Sequence, residues 1–212
     1  MARPRLISDE DIFDEVRRSV LESGARVSLD KVAENLGVTT PALFKRFGNR
    51  NALLIAALRP TVPTFIADLA AGPDGRPMAE QLATLFECMG AWFNQAMPCM
   101  MALHDSGIPL TEVYSAMRES PPVMAIRALS GWLSRAEGKG LVCAHEPKST
   151  AMAMLGAIQT RTFIGRIMNN RTDRASELAR DAKRFAQLFL DGIKPKKPVV
   201  RSPNPALKRA RA

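Results

Sequence analysis

The sequence predicts an all-α protein built as a small N-terminal headpiece followed by a larger helical body, about nine helices together. Three observations predict it. Apolar residues recur at helical spacing through most of the 212 residues, and strand-type alternation is not sustained anywhere. Between Val27 and Leu54, VSLDKVAENLGVTTPALFKRFGNRNALL, helix-start signals follow one another closely around a glycine-containing turn. Clusters of proline and glycine, GPDGRP and ESPP, divide the remainder into helix-length segments.

The headpiece elements follow in order. Ser8 with Asp11 three residues on is a capping-box variant, and acids fill the first turn, where the helix dipole favours them. Ile12, Val16 and Val20 then form one apolar stripe that ends near Gly24. Ser28 opens a second helix at Leu29, with Val27 and Val32 at hydrophobic-staple spacing. Val32, Ala33 and Leu36 give that helix its apolar side, and Gly37 can take the left-handed conformation that ends it. Thr40 before Pro41 is the next start signal, so a third helix is expected to open at Pro41, where proline's missing amide costs nothing. Leu43 and Phe47 should point inward with Val38, leaving Thr39, Thr40, Ala42, Lys45 and Arg46 outward. Asn49 caps a fourth helix from Arg50, whose Leu53, Leu54 and Leu58 pack back. Pro60 and Pro63 kink it or break it, and the sequence leaves open whether it runs on to Ala71.

Two short capped helices around a glycine turn, the second with basic residues on its outer side, have the layout of a helix-turn-helix. In such motifs the second helix lies in the DNA major groove while its neighbours hold phosphates. Taken alone, such a basic pair is more often a solvated helix face than a DNA contact; the tandem of caps shifts the balance for Lys45 and Arg46 toward DNA.

The stretch Ser8 to Leu58 resembles the tetracycline-repressor (TetR) family of bacterial transcription regulators. That family's signature runs approximately G-V-[ST]-x-x-x-[LIF]-Y-x-[HY]-F-x-[SN]-[KR]-x-x-L-L, and it stands here as GVTTPALFKRFGNRNALL. The resemblance implies that Thr39 and Thr40 touch phosphate or bases at the helix opening. It sets Pro41, Ala42 and Lys45 along the groove face, gives Arg50 a phosphate, and counts Ser28, at the opening of the preceding helix, with the DNA-binding set. Phe44 departs from the pattern where tyrosine is common, so it has no hydroxyl for a phosphate. Arg46 stands where histidine or tyrosine is common, and its guanidinium would serve as a phosphate or guanine partner.

From about Met78 onward helical spacing is read over Met78 to Ala96, Pro98 to Ser106, Pro121 to Glu137, Lys148 to Asn169 and Asp173 to Gly192, with Leu110 to Met117 open as a short helix. This gives three regions: a DNA-binding headpiece over 1–59, a helical ligand-binding and dimerisation body over 60–193, and a tail over 194–212. The body is rich in methionine, a flexible side chain that fills cores and also suits cavities for varied apolar ligands. Met89, Trp92, Phe93, Met97, Met101, Met124, Trp132 and Phe163 are the candidates for an inducer pocket, with His104 and Gln159 to orient a ligand; plain core is the commoner role for such apolar residues, and His104 reads as easily as a helix-surface residue. Leu155, Ile158, Leu178, Ala182, Phe185 and Phe189 carry apolar surface on the last two helices. The resemblance implies that this pair forms a four-helix dimer interface, two-fold symmetry matching a near-palindromic operator. The alternative is that the stripe packs inside the monomer.

Charge and composition bound the function. The net charge is +9, but residues 191 to 212 hold seven Lys or Arg against one acid, whereas 1 to 59 holds ten bases and eight acids. The headpiece is basic by its face, not by its sum. The proline-rich tail is expected to be disordered, and either adds nonspecific DNA affinity or only solubility. No apolar run approaches the roughly 18 to 20 residues of a membrane span and no signal peptide is evident, which points to the cytoplasm. Cys88, Cys99 and Cys143 show no metal-ligand spacing, so neither metal nor cofactor is expected. The reading is a ligand-responsive homodimeric regulator of double-stranded DNA, a repressor released by a small apolar ligand. Alternatives are an activator, an architectural DNA binder, or an enzyme built on His104-Asp105 or Cys143-Ala-His145, for which no nucleophile motif speaks.

Overall fold

In the computed structural model, residues 7–23, 27–115, 117–144, 146–169 and 175–193 are described. Among them are ten helices and no strand. The first, α1 (Asp9–Ser23), starts on the expected box: the Ser8 amide donates to the Asp11 carboxylate at 2.9 Å and the Asp11 amide donates to Ser8 Oγ at 3.1 Å. Its stripe of Ile12, Val16 and Val20 is buried against α2 (Leu29–Leu36) and α4 (Arg50–Leu58), with α3 (Thr40–Phe47) between them in sequence.

Pro60 and Pro63 settle the fate of the fourth helix. Arg59 already has extended backbone, ψ 128°, as a residue before proline prefers, and a separate α5 (Phe65–Ala71) begins beyond. By contrast Pro98 does not divide the next segment. A single α6 (Met78–Asp105) runs through it, replacing the two helices expected over Met78 to Ala96 and Pro98 to Ser106. A mid-helix proline costs about 3 kcal/mol or more. Here Ala96, Pro98, Cys99, Ala102 and Leu103 are all buried, so packing on both sides of the break offsets that cost.

The remaining helices are α7 (Leu110–Ser115), α8 (Pro121–Gly138), α9 (Pro147–Asn169) and α10 (Ala175–Ile193). The body is arranged around α6, flanked by α10 and α9, while α8 packs between α9 and α5. Close approach of α6 and α10 needs Gly90, since a Cβ there would lie 2.3 Å from Leu178 Cδ1. Phe86 meets Phe185 and Phe189 at ring distances of 5.5 and 5.4 Å, and Arg161 clasps Asp181 through both Nε and a terminal nitrogen, each 2.8 Å. Buried Gln81 pins the GPDGRP loop by donating to the Asp74 and Arg76 carbonyls and accepting the Asp74 amide.

The two apolar cores do not separate at Arg59. Cys99, Ala102 and Leu103 from the far end of α6, with Ile108 and Val113, lie in the same core as the headpiece residues Leu54 and Leu58. The second core holds the rest of the body. The basic tail over 194–212 and His145 lie outside the described residues.

Candidate nucleic-acid interface

The α2–α3 unit is fixed end by end. Ser28 Oγ accepts the Lys31 amide at 3.4 Å, and Gly37, at φ 68°, closes α2 while the Val38 amide reaches back to the Ala33 carbonyl at 2.9 Å. The next helix starts one residue earlier than its proline suggests. Thr39, not Thr40, is the cap, accepting the Ala42 amide at 3.3 Å, and Pro41 sits harmlessly in the first turn, where amides have no partner anyway. Thr40 Oγ1 instead donates to Asp30 at 2.6 Å. That bond holds the openings of α2 and α3 side by side, two helix N-termini whose free amides and dipoles favour anions.

A buried acid braces the unit from behind. Glu15 accepts Asn35 Nδ2 at 2.6 Å and pairs with Arg18, joining α1 to α2. Burial pushes its carboxyl pKa up, but the hydrogen bonds from Arg18 and Asn35 and the Arg18 charge outweigh this and hold it below the ordinary range.

Thr39, Pro41, Ala42 and Lys45 are exposed, as are Ser28 and Arg50, while Thr40 is half-buried. Lys45 and Arg50 have no ion or hydrogen-bond partner among the described residues, so both charges are open to an incoming phosphate. Arg46 is different. It donates to the Ile7 carbonyl at 2.7 Å, pairs with Asp9, and lies 5.8 Å from the Phe47 ring centre. Its guanidinium is therefore engaged by the start of α1, and a DNA phosphate would have to compete for it. Phe47 continues the stack to Phe13, over which lies Arg17, whose Nε donates to the Ala57 carbonyl at the end of α4. Sequence reasoning passed over Lys31, exposed in the first turn of α2. The signal was present: the helix dipole disfavours a base there unless an anion is close.

Of the ten pocket candidates, Met89, Trp92, Phe93, Met97 and Trp132 share the body core, and the other five lie apart from it. Met89 and Phe93 are packed into the body core, and Trp132 is buried with one edge toward a groove shared with Phe65 and Cys88. Trp92 is half-buried and donates to the Thr61 carbonyl at 3.2 Å. Met97 and Met101 are half-buried on α6, and Met124 lines a separate open groove. The His104 side chain, 82 % exposed, pairs with neighbouring Asp105 at 3.3 Å near the end of α6. Gln159 and Phe163 face outward from α9.

Four of the six residues expected to pair two protomers lie inside the chain, and Phe185 and Phe189 stay half-buried. Leu155, Ile158, Leu178 and Ala182 are buried within the chain, and Phe185 and Phe189 pack on Phe86. Apolar surface remains elsewhere on these helices: Met152, Phe163, Ile164, Ile167 and Met168 on α9 and Leu188 on α10. The α9 residues fall at helical spacing on one outer side.

None of Cys88, Cys99 and Cys143 is in a disulfide, and burial raises the thiol pKa of the first two. No group of three or more potential metal ligands occurs among the described residues, and none of their helices is long and apolar enough to cross a membrane.

Residues 12–57 match the family described as bacterial regulatory proteins, tetR family. No curated protein matches the sequence. Similar solved structures include a TetR-family transcriptional regulator from Mesorhizobium loti (TM-score 0.67, 15% identity, covering 88% of this chain and 96% of that one). Others are a TetR regulator from Haloarcula marismortui (0.64, 18%, 87% and 97%) and FadR from Bacillus subtilis in complex with stearoyl-CoA (0.63, 17%, 88% and 100%). At these identities the likeness is one of fold.

Proposed function

We propose that this chain, a member of the bacterial tetR family by its residues 12–57, is a homodimeric transcriptional repressor whose grip on DNA is set by a small molecule. The observation that carries this reading is the doubly capped α2–α3 unit. It presents Pro41, Ala42 and Lys45 outward beside two adjoining helix N-termini. The second helix enters the major groove, Lys45 and Arg50 hold phosphates with Ser28, Thr39 and Thr40 at the openings, and no catalytic step is assigned. Residues 1–59 act as the reader, 60–193 as the body that binds effector and partner, and 194–212 as a basic tail. The setting is the cytoplasm.

Dimerisation supplies the second reader. The outer side of α9 leaves Phe163, Ile164, Ile167 and Met168 exposed, and α10 leaves Leu188 exposed, apolar surface of the kind that marks interfaces. Two copies related by a two-fold axis through it would read a near-palindromic site. The effector acts by differential affinity: it binds the body conformation in which the two readers are wrongly spaced.

The test is selection of bound sequences from a random duplex pool at near-physiological salt. A near-palindrome bound about a thousandfold or more above competitor supports the reading. Lys45→Ala should weaken that binding and flatten its salt dependence by about one unit of slope. Binding without sequence preference would favour an architectural role through the tail. A monomeric mass in solution, unchanged by Ile167→Glu, would refute the dimer.

A further inference from the structure

Arg59 is the last residue before Pro60 and closes α4, and it borders three separate grooves. One of them, about 770 Å³, lies between the α4–α5 linker and the start of α8. That volume is within the range of small-molecule sites, about 300–1,000 Å³. Its polar side is formed by Arg59, Arg118 and Arg127, with a single acid, Glu119. Glu119 pairs with Arg127 at 2.6 Å, which leaves Arg59 and Arg118 exposed with no partner among the described residues. Its apolar side is formed by Val62, Met117 and Met124.

Two like charges facing one concavity repel each other unless an anion stands between them. Glu112 lies in the adjoining groove that also reaches Arg59, so the unbalanced charge is confined to the Arg118 side. Guanidinium forks match carboxylate and phosphate oxygens, and flexible methionines accommodate an alkyl body.

From this we infer that the groove binds an amphiphilic anion, its carboxylate or phosphate head on Arg59 and Arg118 and its apolar body on Val62, Met117 and Met124. The inference rests on the regulator reading for its purpose and deepens it by naming the effector's chemistry. Arg59 belongs to the helix that Asn49 and Arg50 open at the DNA end, so a ligand drawing on Arg59 bears directly on the headpiece.

The experiment is calorimetric titration of the full chain with decanoate and with decyl phosphate, each below its micelle-forming concentration. Decanol serves as the uncharged probe, and acetate and inorganic phosphate as bare head groups. Saturable binding of one anionic amphiphile per chain, at least tenfold tighter than decanol or either head group, is expected. The Arg59→Ala/Arg118→Ala variant should lose at least tenfold while its unfolding temperature stays put, since neither side chain has a folding partner; Met124→Glu should lose a similar factor. Equal binding of decanol, wild-type affinity in the double variant, or no saturable binding would overturn the site. Duplex affinity is then measured with and without decanoate. An unchanged value alongside Arg59-dependent binding overturns the regulatory half and leaves the site standing. If no duplex is selected at all, the regulator reading fails and the calorimetry still decides the groove.

Discussion

The headpiece helices and the body helices solve the same problem in opposite ways. Each of α2, α3 and α4 has only eight or nine residues, and each begins with a side chain accepting an amide of its first turn: Ser28, Thr39 and Asn49. Helices this short are marginal in water, and fixing the ends removes part of the deficit. The body helices α6 and α8, of 28 and 18 residues, start at Pro77 and Ser120 with no side-chain cap. Buried surface holds them in place instead. The headpiece is thus specified by polar bonds at its ends and the body by apolar packing along its length, so the two should fail under different substitutions.

The largest loss should come from the body. Phe86→Ala removes a fully buried ring that contacts Phe185 and Phe189, and should cost about 3–5 kcal/mol in chemical denaturation. A loss no greater than that of a surface substitution would show that α10 does not depend on this packing.

Next is Glu15, the polar brace of the headpiece. Glu15→Ala should cost about 1–3 kcal/mol near neutral pH by leaving Asn35 without its acceptor. Because the folded pKa is lowered, the contribution is present above the ordinary value of 4.5 and lost as pH falls through the folded value. The gap between wild type and variant should therefore close in acid; a gap that widens would contradict the assignment.

A matched pair of cap substitutions sharpens the comparison directly. Asn49→Ala should cost about 1 kcal/mol. Ser120→Ala, at the equivalent place on α8 but making no cap bond, should stay within about 0.5 kcal/mol. Equal effects would erase the distinction between the two regions.

The smallest effect concerns Arg46. A double-mutant cycle of Arg46→Ala with Asp9→Ala in the free protein should give a coupling of about 0.2–1 kcal/mol, as for a partly exposed pair. If Arg46 positions α3 through this pair, Asp9→Ala weakens duplex binding. Tighter binding would mean that Asp9 withholds the guanidinium from DNA.

The same division explains what could be read from the residues. Caps, glycines and their spacing are local, so Ser8, Ser28, Gly37 and Asn49 announced the headpiece, with only a one-residue shift at Thr39. Pro98 misled because the packing that carries α6 through it comes from distant segments. The stripe of Leu178, Ala182, Phe185 and Phe189 was visible, but periodicity does not say whether a stripe faces its own core or a second copy. Here Leu178 and Ala182 are buried within the chain and half-buried Phe185 and Phe189 pack on Phe86 of α6, while α9 is apolar on more than one side and keeps Ile164 and Ile167 outward. Arg46 was rightly set outward, but its engagement by the start of α1 could not be read, because its acceptor Ile7 lies 39 residues away. The effector groove was invisible for a similar reason: Arg59, Arg118 and Arg127 meet only after α8 folds back toward the end of α4.

The core shared by Leu54 and Leu58 with Cys99, Ala102, Leu103, Ile108 and Val113 has a practical consequence for building hybrid regulators. Residues 1–59 cannot be lifted out as an interchangeable cartridge, since the cut would strip an apolar floor from beneath α4. A transplant that carries the far half of α6 and the turn into α7 along with the reader keeps that floor, and with it the angle at which the reader is held out.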